Sequence, residues 1–366
     1  MADAMNRMGT FKPHLHYLIF YVTSRCNLRC RHCFYLDELN KHREMSLDEI
    51  EKVVRSLHPL SFVRLTGGEP FLRKDLPEVM HLFYRYASVR RMGLITNGTQ
   101  PDKTEGYIDR VFELCPTLSL DVGVSIDGLE TVHDELRGLR GAYARAKQTV
   151  EILVGMKERC PNLLTSLVIT VTSKNESQLD ALYEELSRWG VDRLSVNHVR
   201  GKVHDSSLLD VPFARYREFA VKCERYHLDH DRSWKAGIQR AKNRLARKVI
   251  EQVAAGEHSE IPCLAGSSIG VLYSDGVAAV CELLEGELPS RDGVPASRPL
   301  LGNIREVDFN FYRLWHSENA DNCRRWIRAT RCSCTHECFL TASILFGKRN
   351  YPKLAREWLR VSLAGS

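Results

Sequence analysis

From about His14 to Val199, short apolar runs alternate with stretches whose apolar residues recur at helical spacing. The runs His16–Val22, Phe62–Leu65, Met92–Thr96, Leu118–Ile126, Leu164–Val171 and Leu194–Asn197 read as strands. Amphipathic segments separate them. One opens with Ser46-Leu47-Asp48-Glu49, a capping box in which the Ser and Glu side chains satisfy helix-start amides. Six strand–helix units predict an α/β fold, a parallel sheet curved into a partial (β/α)6 TIM-like barrel with function at the strands' C-terminal ends. A helical segment follows, roughly Val211 to Gly256. The stretch His258 to Phe346 differs in kind, with hairpins, loops and six cysteines, and Glu285 to Pro299 reads as an exposed loop. The expected organisation is a tail (1–13), the barrel (14–200), a helical connector (201–257), a small hairpin-containing, cysteine-rich cluster domain (258–346) and a C-terminal helix (347–366).

At 366 residues, with 43% hydrophobic and 27% charged residues, the chain belongs with soluble globular proteins and has room for a large catalytic core plus an appendage. No window approaches the run of about 18 apolar residues that a membrane span needs. The stretch from Met1 to Lys12 lacks the apolar core of a signal peptide, so the expected location is cytoplasmic, with no membrane partner. Twelve cysteines in that setting point to metal rather than disulfides. Nine of them fall into two groups, whereas Cys115, Cys160 and Cys223 stand alone and read as small buried residues. The net charge of +6 is mild, but six basic residues cluster between Lys235 and Lys248, around Ile238, Leu245 and Val249 at helical spacing. This reads first as the solvated basic face of an amphipathic helix. The sharper alternative is a docking surface for an acidic partner, peptide or nucleic acid.

The first strand runs directly into Thr23-Ser24-Arg25-Cys26-Asn27-Leu28-Arg29-Cys30-Arg31-His32-Cys33. A CxxxCxxC loop brings three thiolates to one small volume. A cubane of four irons normally takes four cysteines, so three leave one iron open, as a reactive cluster needs. The alternative is a zinc site completed by His32 or a distant residue. The second strand ends in Thr66-Gly67-Gly68-Glu69-Pro70. Its paired glycines let the backbone approach a ligand, with carbonyls free to accept from an ammonium group; a plain turn is the other reading.

CxxxCxxC after one strand and GGEP after the next resemble the radical S-adenosylmethionine (SAM) superfamily, a likeness that covers about Tyr17 to Arg200. Thr96-Asn97-Gly98 ending the third strand, Ser125-Ile126-Asp127-Gly128 ending the fourth, and His133-Asp134-Glu135-Leu136-Arg137-Gly138 extend it. The resemblance implies that Cys26, Cys30 and Cys33 bind a [4Fe-4S] cluster whose open iron SAM chelates. It implies that Gly67, Gly68 and Glu69 orient the SAM ammonium, that Asn97 belongs to the binding site, that Ser125 and Asp127 lie near the ribose, and that Arg137 pairs with the carboxylate. His32 departs from the family pattern, which has Phe or Tyr near the adenine at that position.

Further along, Cys263 precedes the apolar run Ile269–Tyr273, Ser274-Asp275-Gly276 makes a hairpin turn, and the return strand Val277–Val280 delivers Cys281. Cys323, Cys332, Cys334 and Cys338 follow. A structural zinc knuckle would fit this spacing. After such a core, however, the segment resembles the SPASM and "twitch" extensions, which carry auxiliary clusters. The full SPASM pattern has more cysteines than the six present, so the resemblance implies one auxiliary [4Fe-4S] cluster, held by Cys263, Cys281 and two of Cys332, Cys334 and Cys338. Cys323, in the helical stretch Glu318 to Ala329, is the spare, and His336 reads as structural or solvated rather than as a ligand.

The expected activity is reductive cleavage of SAM to a 5′-deoxyadenosyl radical. That radical abstracts hydrogen from a peptide, as in ribosomal peptide maturation, or from a small molecule, with the auxiliary cluster assisting oxidation and a flavodoxin- or ferredoxin-type donor supplying electrons. The rivals are a twitch-type alcohol dehydrogenase of a natural-product or sugar pathway and, from another class, a non-enzymatic zinc or iron–sulfur protein that binds nucleic acid through the Lys235–Lys248 face. Nucleic acid is not expected as a partner, because that last reading leaves Gly67–Pro70 and Arg137 without purpose. The short stretch before the first strand leaves no obvious leader-binding domain, which weakens the peptide reading without removing it.

Overall fold

A computed structural model describes residues 13–41, 43–230, 234–286, 288–290 and 299–363. Most of the expected N-terminal tail and much of the Glu285–Pro299 loop lie outside the described residues. The first half runs β1 (Tyr17–Thr23), α1 (Leu47–Arg55), β2 (Phe62–Gly67), α2 (Leu76–Tyr86), β3 (Arg91–Thr96), α3 (Pro101–Leu114), β4 (Ser119–Ser125), α4 (Glu130–Arg137), α5 (Ala142–Gly155), β5 (Leu163–Val171), α6 (Leu179–Leu186) and β6 (Arg193–His198). All seven residues of β1 are buried, as expected of a parallel strand covered on both faces. Helix α1 starts where the capping box predicts. Ser46 Oγ accepts from the Glu49 amide at 3.2 Å, and the Glu49 carboxylate accepts from the Ser46 amide at 2.9 Å, which turns Ile50, Val53 and Val54 inward. Each strand pairs in parallel with the next, β1 through β6, so all six C-terminal ends open on one rim of an unclosed barrel.

The second half comprises α7 (Phe213–His230), α8 (Trp234–Ala254), β7 (Ile269–Leu272), β8 (Val277–Ala279), β9 (Leu300–Asn303), α9 (Phe311–Trp315), α10 (Glu318–Ala329), α11 (Glu337–Phe346) and α12 (Tyr351–Leu363). The hairpin turns as its Asp-Gly predicts, with Gly276 at φ +92°. Its strands do not form a sheet of their own. Strand β7 pairs in parallel with β1, Tyr17 opposite Ile269, and β8 and β9 add antiparallel, giving one nine-stranded sheet in the order β6-β5-β4-β3-β2-β1-β7-β8-β9. The physical reason is the edge of β1, whose backbone groups would otherwise be unpaired in an apolar setting. Gly270 in β7 gives the fully buried Trp315 its place: a Cβ there would lie 2.6 Å from the indole ring.

Helix α8 buries Leu245 and Val249 as its spacing predicts. It also buries Lys242, which the helical pattern assigns to the solvated face. Helix α11 covers that side, and the Lys242 amine lies 3.4 Å from Thr341 Oγ1. Among the described residues, no helix is long and apolar enough to cross a membrane.

Candidate functional site

Cys26, Cys30 and Cys33 leave the end of β1 as a loop and line a cavity of about 220 Å³ at the barrel rim. Gly67 and Gly68 from β2, Asn97 after β3, Ser125 from β4, Arg137 from α4 and Asn197, His198 and Arg200 from β6 complete its wall. The glycines have a further task besides approaching a ligand. The Gly68 amide donates to the Thr23 carbonyl at 2.8 Å and the Glu69 amide to the Arg25 carbonyl at 2.7 Å, lashing the end of β2 to the cysteine loop. A Cβ on Gly67, at φ +135°, would sit 2.3 Å from the Thr23 oxygen, and one on Gly68 would sit 2.1 Å from the Arg25 oxygen. Asn40 fixes the other side, accepting from the Cys26 amide at 3.0 Å.

Burial pushes the Cys26 thiol up to about 12 and that of Cys33 to about 11. Cys30 is raised too, by burial that the Arg137 guanidinium 3.8 Å from its sulfur partly offsets. The Leu28 amide already donates to Cys26 Sγ at 3.4 Å. Three thiols facing one cavity, Cys30 buried and Cys26 and Cys33 half-buried, none at ease as a free thiolate, form a donor set suited to a bound cation. Among the described residues no three His, Cys, Asp or Glu side chains close on one point tightly enough for a single ion. The three thiolates of a cubane bind different irons and need not close on one point.

Beneath the cavity lies a buried charge network that the spacing of motifs does not reveal. His32 Nε2 is 3.2 Å from Asp127 Oδ2, Arg137 reaches the same oxygen at 2.5 Å, and the Thr170 amide donates to Asp127 Oδ1 at 2.8 Å. Burial alone would raise the Asp127 carboxyl, yet Arg137 and then His32 hold it well below the carboxylate range. Of the two residues expected near the ribose, Ser125 lines the cavity and Asp127 lies fully buried behind it, engaged by Arg137 and His32. The Glu69 carboxylate accepts from the amides of Phe71 (3.1 Å) and Asn97 (2.7 Å) and from Thr96 Oγ1 (2.8 Å), so it joins the end of β2 to the end of β3. His32, the residue that departs from the expected Phe or Tyr, has Asp127 as its buried partner.

The second cysteine group stands beside the hairpin. The Cys263 thiol is raised well above its ordinary value, first by hydrogen bonding with Cys332 and then by burial, and Cys332 is lowered by the same bond. Cys334 is pushed up to about 11 by burial and feels Cys332, and it is among the groups that raise Cys281. Backbone amides two residues on donate to sulfur here too, Leu283 to Cys281 at 3.4 Å and His336 to Cys334 at 3.5 Å. At Cys338 burial is outweighed by Arg64 and His336, bringing it down to about 7. Cys323 is buried in α10. His336 is structural and not solvated, N-capping α11 and lying 2.6 Å from Glu282, which also accepts from Tyr21 Oη at 2.5 Å. The rings of Tyr21, Tyr35 and Tyr273 pack 4.6–5.8 Å apart between the cysteine loop and the hairpin. Glu337 accepts from the His198 amide at 3.3 Å and pairs with Arg200, tying the end of β6 to the second group.

Residues 20–186 match the model of the radical SAM superfamily. Among curated relatives, pre-heme d1 synthase of Dinoroseobacter shibae is 33% identical over 52% of this chain and 44% of its own length. The antilisterial bacteriocin subtilosin biosynthesis protein AlbA of Bacillus subtilis is 25% identical over 49% of this chain and 38% of its own. The chain thus spans less than half the length of these relatives. Among solved structures, anSMEcpe with bound AdoMet shares the fold at TM-score 0.56 and 18% identity, over 96% of this chain and 95% of that one.

Proposed function

We propose that this protein is an iron–sulfur enzyme of the radical SAM superfamily, whose model matches residues 20–186, and that it oxidatively modifies a peptide. The observation that carries the reading is the convergence of the Cys26, Cys30 and Cys33 thiols and the Gly67–Gly68 backbone on one cavity at the barrel rim. Cys26, Cys30 and Cys33 hold a [4Fe-4S] cluster. When bound, the cluster supplies the electron that cleaves the sulfonium bond of SAM to methionine and a 5′-deoxyadenosyl radical, and that radical abstracts hydrogen from the substrate. The protein's own part is orientation and dryness. The Gly67–Gly68 backbone, Asn97, Ser125 and Arg137 offer the polar groups that meet SAM, while Glu69 and Asp127 hold those groups in place from beneath. Asn197, His198 and Arg200 form the wall that the substrate meets.

An auxiliary cluster held by Cys263, Cys281 and two of Cys332, Cys334 and Cys338 assists oxidation in the manner of the SPASM and twitch extensions, and the hydrogen bond between Cys263 and Cys332 supports Cys332 as one of the two. A flavodoxin- or ferredoxin-type protein supplies the electrons. The peptide substrate is supported by AlbA, whose name places it in bacteriocin biosynthesis.

The test is anaerobic reconstitution, an iron and sulfide count, and a 5′-deoxyadenosine assay with SAM and reductant. About eight irons are expected for two cubanes. The triple Cys26/Cys30/Cys33→Ala variant should keep about four and form no deoxyadenosine. Stoichiometric zinc, no iron and no SAM cleavage would overturn the reading.

A further inference from the structure

Helices α7 and α8 flank a surface groove of about 480 Å³, lined by residues other than those of the cysteine cavity. Arg217, Lys222 and Arg225 from α7 stand across from Arg244, Arg247 and Lys248 from α8, with Glu218 and Glu251 as the only carboxylates lining the groove among the described residues. Four of these cations are engaged: Arg247 with Glu224 (2.5 Å), Arg244 with Glu357 (3.2 Å), Lys248 also with Glu357, and Lys222 with Asp180. Arg217 and Arg225 are exposed and form no ion pair with any described residue. The floor is aliphatic, made of Val221 and the stems of the long cations.

We propose that this groove docks an acidic segment of the peptide substrate. The inference rests on the peptide reading above and deepens it. Excess positive charge over an aliphatic floor, between two helices, suits a peptide that presents carboxylates on one side and apolar side chains on the other. A single nucleic-acid strand fits less well. Among the described residues no aromatic ring lines the groove for bases to stack on, and the two carboxylates would face phosphates. Helix α7 packs on β6, whose end lines the cavity, so a segment held here is anchored on the element that borders the site.

The test uses the full chain and fluorescence anisotropy at low salt. The probes are a labelled glutamate–leucine repeat peptide, its glutamine–leucine counterpart and a labelled single-stranded oligothymidine. The acidic peptide should bind, the glutamine peptide should bind at least about tenfold more weakly, and the Arg217→Glu/Arg225→Glu double variant should lose about as much affinity for the acidic peptide. That variant should still cleave SAM without peptide, which shows that it folds. Equal affinity of wild type and variant for the acidic peptide overturns the docking site, as does tighter binding of oligothymidine that the same variant abolishes. Either result with SAM cleavage intact sinks the groove alone. Charge-dependent peptide binding by a protein that holds zinc and cleaves no SAM sinks the proposed chemistry alone.

Discussion

A methyl group at Gly68 would overlap the Arg25 carbonyl, and a carbonyl cannot step aside without moving the loop that carries Cys26. Gly68→Ala is therefore expected to cost about 2–4 kcal/mol, the range of severe steric substitutions, and to lower reconstituted iron. Thermal unfolding and an iron count check both. The sequence shows that this position wants glycine. It does not show why, because the crowding comes from a loop about forty residues upstream. His133 supplies a pH dependence. Its Nδ1 accepts from the Asp127 amide at 3.1 Å, and burial, helped by Arg137, brings its pKa down to about 4 from 6.5. Between those values the unfolded chain binds a proton that the folded chain refuses. The stabilisation is complete above pH 6.5 and is lost as pH falls toward 4. Urea unfolding of metal-free protein should show a loss of about 2 kcal/mol from pH 7 to pH 5, reduced in His133→Asn.

Six strands and the hairpin stand within two residues of where the apolar runs put them, because the runs are strong, most of all in β1, which is buried throughout. Helix α8 shows where such reading stops. Spacing puts Lys242 among the solvated cations, but the helix is covered on more than one side, by α11 and α12, and periodicity cannot report a second neighbour. Burial brings its amine down to about 8, so at neutral pH the folded protein carries a buried, disfavoured charge. Lys242→Met is expected to raise the melting temperature at pH 7, by the equivalent of about 1 kcal/mol. A fall in melting temperature would mean that the Thr341 contact outweighs the burial cost.

At the scale of the whole molecule, the thiol spacing made both cysteine groups legible, whereas their connection was not. Tyr21–Glu282 and Arg200–Glu337 join residues more than a hundred positions apart, and no local pattern announces such pairs. One sheet running from β6 to β9 makes barrel and extension a single cooperative body. Far- and near-ultraviolet dichroism should therefore report one coincident thermal transition, and two separated transitions would show that the hairpin segment melts alone. The β1–β7 ladder has a last consequence, for synthesis. Strand β1 leaves the ribosome first, and its second edge stays bare until β7 emerges some 250 residues later. At about 5–20 residues per second that wait is about 10–50 s, during which the apolar stretch YLIFYVT is open to any passing strand. The nascent chain thus depends on whatever chaperones reach it before its own C-terminal half does.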